Sequence, residues 1–236
     1  DNIAWDTSNV INMNGMFYEA ESFESNISNW DTSSVTDMEG MFSGCKNFDS
    51  NISEWIVSNV TNMSSMFFNA ESFKGNISRW DTSKVENMKN MFLNANSFNS
   101  DISNWDTSNV TNMESMFDNA QKFNKNINIK FLNNGKIAWN TSNVINMNTM
   151  FKNATSFKGN ISNWNIDSLL TMDGIFEDID FDYNTINTKP CFLNGKFSHI
   201  AWKIYPDSII YDIDIDEKKL NWNNNIDENS INLYYF

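Results

Sequence analysis

Apolar residues recur along this chain with a period of 25 positions. One period runs from Trp80 to Asn104, with a tryptophan first, Val, Met, Phe and Ala in the middle, and an isoleucine near the end. The tryptophan column shows how regularly the pattern returns: Trp5, Trp30, Trp55, Trp80, Trp105, Trp139 and Trp164. A fixed period between about 20 and 50 residues is typical of solenoids and other stacked arrays.

The spacing of apolar residues inside one unit predicts a helix and a strand. Between Val85 and Phe98 they follow one another at steps of three, three, one, three and three, which favours an amphipathic helix of about three turns. Thr82 or Ser83 is expected to cap that helix. The segment from Asn99 to Trp105 predicts a short strand that pairs in parallel with its neighbours. The predicted fold is therefore an α/β solenoid of the leucine-rich-repeat type, built from 25-residue strand–helix units.

An insertion and a change of pattern divide the chain further. The interval from Trp105 to Trp139 is nine residues longer than the repeat. Residues 128–138 combine alternating apolar positions with Asn-Asn-Gly, which predicts a β-hairpin insertion with Gly135 in a left-handed turn position. Alternation over 209–216 predicts a later strand. We expect a solenoid of about seven units over 1–188 and a β-rich C-terminal cap over 189–236. A related hairpin motif at 192–196 suggests a piece of a longer protein.

No pattern along the chain is typical of a catalytic site. His199 has no partner Cys or Ser motif near it, so we interpret it as structural or exposed. Asp212, Asp214 and Asp216 resemble the first half of a calcium loop, but the sixth position holds Glu217 where such a loop needs Gly. Phosphate-binding, hydrolase and zinc motifs are absent. We expect no enzyme activity, no cofactor and no bound metal.

The two cysteines do not form a disulfide framework. Cys45 replaces an alanine of the apolar pattern, which predicts a small buried thiol. Cys191 lies far along the chain, so a bridge between the two is not expected in an extended array.

Charge and hydropathy disfavour two classes of partner. The formal net charge is -14, which disfavours binding to nucleic acids and anionic membranes. The sequence has no run of 18 or more apolar residues, so we expect no membrane insertion.

Two columns of small polar residues flank the isoleucine of the predicted strand and define a candidate interaction face. Its members are Asn26, Ser28, Asn51, Ser53, Asn76, Ser78, Asp101, Ser103, Asn160 and Ser162. One interpretation is structural, with these side chains hydrogen-bonding up and down the array at a spacing of about 4.8 Å. The other is functional, with a flat polar surface that binds a glycan or a protein.

The pattern W-D-T-S-x-V-x-x-M-x-x-M-F-x-x-A-x-x-F-x-x-x-I-S-x-W resembles the BspA-like leucine-rich-repeat surface protein family. The resemblance is strong from residue 1 to about 165 and weak to about 188. It implies an extracellular or cell-surface location, a role in adhesion or interaction with a protein or glycan, and no catalytic residues. The near-identical repeats leave an alternative open, a structural component of a giant-virus particle or surface layer that contacts copies of itself or a coat protein.

Overall fold

The computed structural model describes residues 5–133, 135–159, 161 and 163–179, together with two strands at 211–214 and 219–222. Over the first of these ranges the 25-residue units lie on one another in the same orientation. Parallel bridges join one column of residues from unit to unit: Asn12, Asp37, Asn62, Asn87, Asn112, Asn146 and Thr171.

The segment predicted to be a helix is a series of tight turns. The N–H groups of Met91, Leu93 and Ala95 each donate to the carbonyl three residues earlier, at 3.0 to 3.2 Å. The alternate N–H groups cross to carbonyls of the next unit at 2.8 to 3.0 Å: those of Met88, Asn90, Phe92 and Asn94. An α-helix would keep these bonds within the segment. The predicted helix is therefore replaced by turns.

Left-handed residues explain why no helix forms here. Asn90 and Asn94 have φ angles of 56° and 60°. Each is the third residue of a turn closed by a hydrogen bond, the position at which a type II turn requires a positive φ. A left-handed residue every four positions is incompatible with a right-handed helix. The apolar stripe is nonetheless inward, because the residues of this stripe are fully buried: Val85, Met88, Met91, Phe92, Ala95 and Phe98.

The parallel pairing also lies at a different place from the predicted strand. Residues 99–105 contain no strand, and Ser103 and Asn104 form a turn. The bridge lies instead at Asn87 and its equivalents, directly before the first methionine of each unit, and is one residue long. Each unit is thus held by single bridges and turns rather than by extended strands.

The core is a continuous stack of like side chains from successive units. Two phenylalanine columns and the tryptophan column stack ring on ring, with centroids 5.5 Å apart for Phe67 and Phe92 and 6.4 Å apart for Trp80 and Trp105. Aromatic rings prefer stacked or tilted arrangements at these separations. Burial of one unit therefore depends on the units on both sides of it.

The insertion folds as a hairpin. Strand β1 (Lys130–Phe131) pairs antiparallel with β2 (Ile137–Ala138), and Lys130 lies opposite Ala138. Gly135 has a φ angle of 79°, the left-handed conformation predicted for it.

A second antiparallel pair lies near the C-terminus. Strand β3 (Tyr211–Asp214), within the predicted strand over 209–216, pairs with β4 (Lys219–Trp222). Residues 180–210 lie outside the described part, so the predicted division at 188 stays a prediction. The leucine-rich-repeat class of the array also stays a prediction. No helix in the described residues is long and apolar enough for a membrane crossing.

Candidate functional site

The predicted interaction face consists of turns that its own side chains close. Oδ1 of Asn76 accepts from the N–H of Ser78 at 3.1 Å, and Oδ1 of Asp101 accepts from the N–H of Ser103 at 2.9 Å. The same bond recurs in two earlier units: Asn26 with Ser28, and Asn51 with Ser53. These oxygens bond within their own unit, unlike the ladder of the structural interpretation. Two members of the face lie outside the described residues: Asn160 and Ser162.

This turn recurs at three corners of several units, which the sequence pattern did not lead us to predict. In the fourth unit Asp81, Asn87 and Asp101 each accept from the N–H two residues later, at 2.9 to 3.1 Å. Asn and Asp favour such turns because their side chains satisfy nearby backbone donors. The signal was the recurrence of Asn or Asp two residues before a polar residue. These turns give the high asparagine content of the chain a structural explanation.

Side-chain ladders do connect the units, but on other columns. Nδ2 of Asn94 donates to Oδ1 of Asn69 at 2.7 Å, and Nδ2 of Asn119 donates to Oδ1 of Asn94 at 2.9 Å. The buried hydroxyl of Thr82 donates to the carbonyl of Asp106 in the next unit at 2.9 Å. The structural role expected of the candidate face therefore belongs to these residues.

The hairpin folds back beside the candidate face. Nζ of Lys130 donates to Oγ of Ser103 at 3.0 Å. Nζ of Lys136 lies 3.3 Å from Oδ1 of Asp81, 55 positions earlier in the chain. Burial alone would raise the pKa of Asp81, but hydrogen bonds from Ser83 and the charge of Lys136 lower it overall. The hairpin is therefore fixed to the corners of the preceding units.

A groove of about 450 Å³ lies between the hairpin and the array. One wall comes from two adjacent corners of the array: Ser78, Arg79, Trp80, Asp81, Thr82, Asn104 and Asp106. The other wall is the hairpin: Leu132, Asn133 and Lys136. Among the members of the predicted face that the structure describes, Ser78 alone lines this groove. The remaining lining residues were missed because they meet through the folding back of the hairpin, which no local pattern reveals.

The groove walls are partly polar and partly apolar, and their charged side chains are of both signs. Asp81 and Asp106 supply two carboxylates, while Arg79 and Lys136 supply two cations. Trp80 is 4% exposed, so its ring packs in the core instead of presenting a face to the groove. The arrangement offers hydrogen-bond donors and acceptors without a net charge.

Asp118, elsewhere on the array, is a second carboxyl with a shifted pKa. Burial raises its pKa to about 6, with the nearby charges of Glu177 and Asp178 adding to the effect and Lys152 opposing it. Lys152 itself pairs with Glu177 at 2.9 Å. No local pattern in the sequence predicted a raised pKa for this residue.

Cys45 is a buried, free thiol, as predicted. Burial raises its pKa to about 11, and Sγ lies 3.0 Å from the carbonyl oxygen of Phe17. A thiol with so high a pKa is a poor nucleophile at neutral pH. Cys191, His199 and Asp216 lie outside the described residues. Within the part that the structure describes, no three Cys, His, Asp or Glu residues are grouped as a metal site.

Comparison with known proteins identifies a family whose function is not known. No curated protein and no solved structure matches the chain. One family model matches residues 1–80 and again residues 50–137, which together cover more than half of the 236 residues. The overlapping matches agree with the repeated pattern. The chain belongs to the family described as "Mycoplasma protein of unknown function, DUF285".

Proposed function

We propose that this chain is a non-catalytic interaction module, displayed at a cell surface or outside the cell, that binds a protein or glycan partner beside its hairpin. The observation that supports it is the groove between the hairpin and the array. Along the rest of the stack the corners repeat with little change. At the hairpin, Lys136 and Asp81 bring distant segments together and create a local shape that the repeat alone does not provide.

The repeat pattern supports the proposed location. The columns that resemble the BspA-like surface proteins are the same columns that the stack buries, including Val85, Met88 and Phe92. On the strength of that resemblance we propose adhesion as the biological role of the chain. The formal charge of -14 favours a partner other than nucleic acid or an anionic membrane.

A binding assay on intact cells tests the proposal. A fluorescently labelled chain is expected to bind saturably to some members of a panel of bacterial and eukaryotic cells. The matched control deletes residues 129–137, which joins Ile127-Asn128 to Ala138-Trp139 and restores the 25-residue spacing seen at Ile102-Ser103-Asn104-Trp105. This variant should keep its unfolding midpoint and lose binding. Equal binding by both proteins, or binding by neither, would contradict the proposal.

A second candidate function is a structural role in a large assembly such as a virus particle or a surface layer. One observation favours it: the same one-residue parallel bridge joins unit after unit, from Asn12 to Thr171. A regular repeat of this kind suits ordered contacts with another copy or with a coat protein. Sedimentation that shows growing assemblies with rising concentration would support this role. A monomer at every concentration would exclude self-assembly.

A further inference from the structure

We propose that the groove beside the hairpin binds an uncharged oligosaccharide. This inference rests on the proposed function and names the class of partner. A groove of about 450 Å³ suits a short chain of sugar rings and is within the range of small-ligand sites. It is too small to receive a folded protein domain.

The groove offers unused hydrogen-bonding groups. The side-chain amides of Asn104 and Asn133 make no hydrogen bond with the described residues. Each amide supplies two donors and an acceptor. Asp106 uses Oδ1 to accept from Ser108 at 3.0 Å, while Oδ2 has no partner in the described part of the chain. Sugar hydroxyls both donate and accept, so they match this mixture of amides and a carboxylate.

The charges of the groove argue against an ionic ligand. Arg79 already lies 3.5 Å from Glu54, and Lys136 lies 3.3 Å from Asp81. A sulfated or phosphorylated ligand would have to compete with these pairs and would face the carboxylate of Asp106. A cationic ligand would have to compete with Lys136 for the carboxylate of Asp81. A neutral ligand avoids both.

The apolar side chains of the described lining argue against a protein partner in the groove. Protein interfaces concentrate their binding energy in apolar and aromatic side chains at the centre of the contact. Here Trp80 is buried in the core and Leu132 is the remaining large apolar residue of the lining. The exposed aromatic of the hairpin, Phe131, is 84% exposed and is not part of the groove wall. A protein partner would therefore use Phe131 rather than the groove.

A glycan array followed by calorimetry tests the inference on the intact chain. The array holds neutral hexose and N-acetylhexosamine oligosaccharides, with sulfated and uronic-acid oligosaccharides beside them. We expect binding to neutral members, with little change between low and high salt. Asn104→Ala should weaken the affinity for the best neutral ligand about tenfold, the effect of one lost hydrogen bond. Asn29→Ala is the matched control, because Asn29 occupies the same column without the hairpin and should bind like the wild type.

A second pair of variants tests the carboxylate without disturbing the turn. Asp106→Asn keeps an Oδ1 that accepts from Ser108, and asparagine already occupies this column at Asn140 and Asn165. It should weaken sugar binding, whereas Asp31→Asn, in the same column, should not.

Three outcomes would overturn the inference. The first is a preference for acidic oligosaccharides with strong salt dependence. The second is neutral-sugar binding that Asn104→Ala and Asp106→Asn leave unchanged. The third is binding to cells that Phe131→Ala abolishes while no oligosaccharide binds. In that last case the proposed interaction function stands, with a protein as the partner. If the wild-type chain binds no cells at all, that function is rejected as well.

Discussion

The indole N–H of Trp105 donates to the carbonyl oxygen of Ile77, 28 positions earlier in the chain, at 3.1 Å. The same bond recurs along the array: Trp55 to Ile27, Trp80 to Ile52, Trp139 to Ile102 and Trp164 to Ile127. Each of these tryptophans fills the core and also donates to a carbonyl of an earlier unit. The units are therefore joined by specific polar bonds as well as by packing.

Trp105→Phe should lower the stability of the array. It keeps an aromatic ring in the core but removes the indole donor to the carbonyl of Ile77, which keeps its bond from the N–H of Trp80 at 3.3 Å. The loss of one net hydrogen bond costs about 0.5–1.5 kcal/mol. Urea unfolding followed by circular dichroism measures the change. Trp5→Phe is the control, because Trp5 is 65% exposed, and it should leave the midpoint nearly unchanged. Equal effects of the two substitutions would show that the buried bond contributes nothing.

Asn94→Ala and Asn94→Gly distinguish the turns from a helix. Both variants lose the amide ladder with Asn69 and Asn119, so their difference isolates the backbone. At a φ of 60°, glycine should be more stable than alanine by about 1 kcal/mol, because the left-handed conformation strains any Cβ. In a helix interior the order would be reversed by about the same amount. Thermal unfolding of the two variants shows which of them is more stable.

The stability of the chain should fall as the pH rises through the titration of Asp118. The folded-state pKa of about 6 lies above the usual 3.8, because burial disfavours the charged form. Between these values the folded chain holds a proton that the unfolded chain has lost, so folding weakens with rising pH over this window. Asp118→Asn should therefore be more stable than the wild type at pH 7 and similar to it at pH 4. NMR titration of the carboxyl carbon gives the pKa directly, and a value near 4 would contradict the prediction.

Lys136→Met should loosen the hairpin without unfolding the array. The pair with Asp81 is partly exposed, so its loss should change the free energy of unfolding by less than about 1 kcal/mol. Hydrogen exchange of the amides in β1 and β2 should nevertheless become faster. Lys84→Met removes another exposed lysine, which bonds Asn59 at 2.7 Å, and should leave the hairpin unchanged. Unaltered exchange in the hairpin would show that other contacts fix it.

The sequence predicted which residues are inside better than it predicted the backbone. Spacings of three and four bring Met88, Phe92 and Ala95 to one face of a helix, but they also bring them to the inner side of consecutive turns. The distinguishing signal was the glycine content of the left-handed columns, as at Gly40 and Gly44. Periodicity alone gives no information about the sign of φ.

The candidate site was less predictable than the core. The hairpin follows from local alternation and Asn-Asn-Gly, so the sequence could reveal it. The groove depends on the approach of Lys136 to Asp81, which are 55 positions apart. Such a contact is decided by how the insertion packs on the array, and neither segment carries a pattern that points to the other.

The hydrogen bonds that cross from unit to unit have a mechanical consequence. A pulling force on the two ends of the stack would be transmitted through every interface, and units would detach one after another as single interfaces fail. Each detached unit would release 25 residues, which extend to roughly 80–90 Å. A protein with this architecture would lengthen stepwise under flow or shear and would dissipate mechanical work at each step.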